Sequence, residues 1–147
     1  MATTRLRSHF ITWKMIICLA QNDMLPQSFM NKVLGSPWGS LLYARRVVKG
    51  RWPKGEPTIM KDPYDSVVYA NEVIKGRWPE AEPTIATEPY SAVDYALFVI
   101  KGPWPEGEPA IRSEMYCSNV YDQFLRRAYY KTEPGDPFEE LDRGGPL

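Results

Sequence analysis

Glutamates stand two apart in this chain, as Glu80 with Glu82 and again as Glu106 with Glu108. Paired carboxylates in unequal surroundings can divide general acid and base work between them. Basic and aromatic groups meet in Lys75-Gly76-Arg77-Trp78, a combination able to hold a phosphate backbone while an indole stacks on bases. Two thiols, Cys18 and Cys117, and one imidazole, His9, complete the chemically capable set. These groups do not converge on a reaction. The glutamates fall near the start of a short element, where helix polarity stabilises the ionised form and makes a poor general acid. Lys75 and Arg77 are followed by Glu80 and Glu82, and Lys101 by Glu106 and Glu108, so each segment neutralises itself. A ladder of exposed ion pairs between neighbouring segments, each worth about 0–1 kcal/mol, accounts for them. A lone histidine cannot build a multi-histidine metal site, and two distant cysteines without a CxxC pair read as reduced thiols. A phosphate-cradling glycine loop is missing. The chain therefore reads as a non-enzyme, with no cofactor, no metal and no small-molecule ligand expected.

The 147 residues are 44% apolar and 24% charged, with 18 basic residues against 18 acidic ones. That suits one globular domain large enough to bury a core. Zero net charge gives no general pull toward nucleic acid or anionic lipid. Arg5 and Arg7 precede an apolar stretch from Phe10 to Ala20, but Lys14 interrupts it. What remains is shorter than a usual signal core of about 7–15 residues and far short of the roughly 20 that span a bilayer. An amphipathic first helix, a cytoplasmic location and no membrane partner are expected.

The elements that must position these groups come from an internal repeat. Leu41–Ile59, Val67–Ile85 and Val93–Ile111 align without a gap, 26 residues apart, as Gly50, Gly76 and Gly102 or Trp52, Trp78 and Trp104 show. Each unit opens on a proline and an aromatic residue: Pro37-Trp38, Pro63-Tyr64 and Pro89-Tyr90. In the middle unit Asp62 is placed to cap a helix, with Pro63 at its first position. Gly76 is placed to close it in the left-handed conformation after Lys75. About 13 residues make a rod too short to be stable alone, so packing must hold it. The stretch from Arg77 to Ala86, with Pro79 and Pro83, reads either as a short helix or as an extended piece followed by one turn. The fold class predicted is all-α: a short α-solenoid of helix plus short-helix units with a 26-residue period.

Residues 1–36 read as a degenerate N-terminal capping unit and 37–111 as three tandem repeats. Residues 112–131 read as a C-terminal capping helix, within one longer helix expected from Pro109 to Tyr130, and 132–147 as a loosely packed or disordered tail. On a helical wheel Val67, Ala70, Val73 and Ile74 form one apolar stripe, with Asp65, Glu72 and Lys75 opposite. The stripe is matched in the other units. The opposite face varies: Gly39, Asp65, Ser91; Leu42, Val68, Asp94; Arg45, Asn71, Leu97; Arg46, Glu72, Phe98. Positions that change between matched copies are released from packing, so they are solvent-facing or available to a partner. Leu97 and Phe98 put two large apolar groups on the face that should be wet, the usual centre of an interface. The candidate partner-binding residues are Leu97, Phe98, Asp94, Asn71, Glu72, Arg45 and Arg46. The partner expected is another protein or a second copy of the chain, with nucleic acid disfavoured by the self-neutralising segments. The tryptophans are expected to close the corner between the two elements of each unit.

The string from Tyr69 to Ile85, YAxxVIKGRWPEAEPTI, resembles a tandem repeat of uncharacterised proteins, many encoded by bacteriophages and other large viruses. The likeness covers Pro37 to Ile111. It implies a helical array, a viral origin and, with it, the host cytoplasm, and it carries over no catalytic or binding residue. Lys54 and Pro103 depart from the pattern, where glutamate and arginine are usual.

Overall fold

A computed structural model of the chain describes residues 14–22 and 24–129. His9, the stretch from Phe10 to Trp13 and the tail expected over 132–147 lie outside the described residues. Every regular element among the described residues is helical. Helix α1 covers 14–21 and α2 is Gln27–Leu34. Long helices begin at α3 (Pro37–Tyr43), α5 (Pro63–Tyr69), α7 (Pro89–Asp94) and α9 (Met115–Tyr129). Short helices α4 (Glu56–Ile59), α6 (Glu82–Ile85) and α8 (Glu108–Ser113) alternate with them. The second element mixes the two readings: residues 77–78 have no regular structure, 79–81 form a turn, and a one-turn helix follows with Glu82 as its first residue.

Each long helix starts where a side chain captures an orphan amide. Ser36 accepts from the Gly39 N–H (3.2 Å), Asp62 from Asp65 (2.9 Å), Glu88 from Ser91 (2.6 Å) and Glu114 from Cys117 (2.9 Å). These caps recur every 26 residues and run one unit past the three counted in the sequence. The continuous helix expected from Pro109 to Tyr130 is therefore two. Glu114 turns extended (φ −123°, ψ 125°), ends α8 and caps α9, because its carboxylate offers the Cys117 amide a partner outside the helical ladder.

Past their first turns α3, α5 and α7 widen into π-helical segments, Ala44–Val48, Ala70–Ile74 and Tyr95–Ile100. Each closes on an i→i+5 bond, from the N–H of Lys49, Lys75 or Lys101 to the carbonyl of Ala44, Ala70 or Ala96. The left-handed residue is the lysine, not the glycine expected there: φ is 55°, 60° and 57° at Lys49, Lys75 and Lys101. Gly50 and Gly76 follow outside the left-handed region, and their N–H groups reach the same alanine carbonyls at 3.3 and 3.2 Å. A non-glycine residue in that conformation costs about 1–2 kcal/mol, which the surrounding closure must offset.

First halves of the long helices touch first halves and π segments touch π segments, so these helices lie parallel and side by side with the short helices packed against them. Val33, Ile59, Ile85 and Ile111, again 26 apart, are wholly buried, and each such side chain contributes about 1.5–3 kcal/mol. Val33 places α2 as the short helix of an earlier unit. Leu41, Val67 and Val93 and the three alanines Ala44, Ala70 and Ala96 fill the layer between. The predicted stripe holds for Val67 and Ala70, whereas Val73 and Ile74 are only half-buried. Asp65, expected to face water, is buried, as are Gly39 and Ser91. Two causes combine. A helix flanked on both sides by neighbours buries more than one stripe, and a π turn rotates less per residue than an α wheel assumes.

Candidate functional site

The repeated polar chemistry closes one unit upon the next. The Tyr69 hydroxyl accepts from the Trp52 backbone N–H (2.7 Å) and donates to Glu56 Oε1 (2.9 Å). Tyr95 does the same to Trp78 and Glu82 (2.7 and 2.9 Å), and Tyr121 to Trp104 and Glu108 (2.8 and 3.1 Å). Arg51 holds Glu56 through two bonds of 2.9 and 3.0 Å, and Arg77 holds Glu82 at 2.8 and 2.9 Å. These two ion pairs lie within units; between units the repeated bond is the tyrosine hydroxyl's, and the expected ladder of ion pairs is reduced to Arg45–Glu72 and Arg112–Asp122. Tyr43, Tyr69 and Tyr95 each also pack on the tryptophan of their own unit, with ring centroids 4.7–4.9 Å apart for Tyr43–Trp52, Tyr69–Trp78 and Tyr95–Trp104. Trp78 and Trp104 are buried as the sequence predicts, and Trp52 is half-buried.

The electrostatics follow from these contacts. The Arg51 hydrogen bond foremost holds the Glu56 carboxyl below its usual range, and Arg77 does so for Glu82. Burial pushes the Tyr69 hydroxyl up to about 12 and raises Tyr95 as well. In the third unit Pro103 replaces the arginine. There Arg112 turns to Ser118 (2.9 Å) and Asp122 (2.6 Å), 5.4 Å from the ring centre of Tyr121. The glutamates that looked like acid–base pairs are split in role: Glu82 is tied into the clasp and Glu80 is exposed. Cys117 is buried with its thiol raised to about 11 by burial, and Cys18 is exposed.

The seven residues singled out for partner binding lie on the long helices, and the structure brings two of them into direct contact. Arg45 forms an ion pair with Glu72 on the next helix. Arg46 is exposed, and its carbonyl accepts from Gln21 at 3.0 Å. Asn71 is exposed; Asp94 is half-buried, and burial, then the charge of Glu88, raises its carboxyl. Leu97 is half-buried against the core, in a groove with Val120 and Phe124 of α9. Its apolar character is used by packing. Phe98 is 53% exposed, where its counterparts are Arg46 and Glu72. Other grooves follow the same side of the long helices, one of about 560 Å³ between α1 and α3 and one beside the Arg45–Glu72 pair.

Sequence reasoning missed the tyrosine row. Its signal was present: Tyr43, Tyr69, Tyr95 and Tyr121 keep the 26-residue spacing, the last beyond the third copy. Among the described residues no three histidine, cysteine or acidic side chains gather as metal ligands, and no helix is long and apolar enough to cross a membrane. No protein-family model, curated protein or solved structure matches the chain.

Proposed function

We propose that the chain is a non-enzymatic helical-repeat protein that binds another protein through the side of the long helices carrying Arg45, Arg46, Asn71, Glu72, Asp94 and Phe98. The observation that carries this reading is Phe98. A frame repeated almost unchanged over three units presents a half-exposed phenylalanine at a position charged in the other two copies. Aromatic anchors beside water-excluding neighbours dominate protein interfaces, and the adjoining residue Leu97 lines an apolar groove with Val120 and Phe124. A nucleic-acid role has less support, because Arg51 and Arg77 are each committed to a glutamate. The likeness of the repeat to phage-encoded proteins favours a viral gene and action in the host cytoplasm.

A photo-reactive phenylalanine analogue in place of Glu72 tests the reading in cells. The expected result is a discrete adduct with a heavier partner, lost when Phe98→Asp is added and retained with Lys54→Glu on the exposed turn before α4. Adducts that survive Phe98→Asp would contradict it, and an adduct of twice the chain mass would show that the occupant is a second copy.

A further inference from the structure

The residue after the first position of every long helix is aromatic and exposed: Trp38 (42%), Tyr64 (62%), Tyr90 (53%) and Tyr116 (63%). The start of each helix does not require this, since the capping side chain two residues before each ring already supplies it. Because the helices are parallel, the four rings follow one edge of the array. At the last step Tyr90 and Tyr116 come close, with ring centroids 6.4 Å apart and planes inclined by 31°. A flat group held between two aromatic faces needs about 7 Å, twice a contact distance of about 3.5 Å, which a small rotation of two exposed rings provides.

The charge at this slot is negative and fixed. Glu88 is anchored by the amides of Tyr90 (3.1 Å) and Ser91 (2.6 Å), and Glu114 by that of Cys117 (2.9 Å). Glu114 is the foremost influence raising the Tyr90 hydroxyl above its ordinary value, with Glu88 a further contributor. Arg112 is directed to Ser118 and Asp122 instead. We propose that Tyr90 and Tyr116, with Glu88 and Glu114 beside them, bind the guanidinium of an arginine on an extended segment of a partner protein. A guanidinium is flat, stacks on aromatic faces and forks onto a carboxylate, whereas two rings do not enclose a rounded ammonium. Carboxylates at the slot repel phosphates and so disfavour nucleic acid. The same pairing of ring and cap carboxylate recurs one helix earlier in Tyr64 and Asp62. Neighbouring helices pack about 8–10 Å apart, and three residues of an extended polyproline-type segment advance about 9.3 Å. The ligand pattern that fits is therefore arginine at every third position. This site is roughly two turns along the helix from Phe98 and does not depend on that face.

The test titrates the full chain with a synthetic peptide of three arginines separated by proline pairs, and with the same peptide carrying neutral citrulline. Calorimetry is expected to show binding of the arginine peptide that weakens at least tenfold with citrulline and tenfold in Tyr90→Ala with Tyr116→Ala. Tyr90→Phe, which keeps the aromatic face, retains most of it. Equal binding of the two peptides, or no binding of the arginine peptide at millimolar concentration, overturns the proposal without any need for a variant. Full affinity in the double alanine variant overturns it as well.

Discussion

Asp65 shows how one side chain sets a pH dependence. Its carboxyl, ordinarily near 3.8, is raised to about 6 by burial, with the charge of Asp62 adding to it. The folded chain holds that proton more tightly than the unfolded one, so the group's contribution is full below about pH 4 and lost as pH rises through about 6. Glu56 and Glu82 run the other way: held below 4.5, they contribute above that pH and lose it as acid is added. The next copy carries Ser91 at the position of Asp65, buried in the same place. Asp65→Ser is therefore expected to stabilise the protein by about 1 kcal/mol at pH 8 and to change it little at pH 4, as read by urea unfolding at both values. A second residue-scale outcome concerns the clasp. Tyr95→Phe leaves the buried Trp78 N–H without its acceptor and takes one of its donors from Glu82, which keeps Arg77, and is expected to cost about 1–3 kcal/mol in the same assay.

Among the elements, what was readable depended on whether the cause was local. The cap at Asp62, the proline after it and the burial of Trp78 and Trp104 follow from the chemistry of a few adjacent residues, and the structure has all of them. The end of the long helix was misread because the cheapest left-handed residue is glycine, whereas the π turn places the reversal one residue earlier, on lysine. The same widening carried the apolar wheel out of phase past Ala70, exposing part of Ile74. Leu97 looked like a wet apolar residue because α9 was hidden as a unit. Met115 and Ala128 stand where proline and glycine mark the other copies, while the cap at Glu114 and the hydroxyl of Tyr121 keep the period. The hydroxyl bonds between units were unreadable for a related reason: nothing local to Tyr95 points to Trp78, 17 residues away.

For the whole molecule the central claim is that parallel units of 26 residues are held to one another by equivalent contacts. Removal of one complete unit, residues 63–88, tests this most directly. The deletion joins Asp62 to Pro89 and restores the separation of 17 residues between Trp52 and Tyr95 that the intact chain has between Trp52 and Tyr69. The shortened protein is expected to remain helical by circular dichroism and to unfold in urea in one cooperative transition, with a smaller denaturant slope because less surface is buried. A chain that keeps no cooperative transition after this deletion would contradict the account.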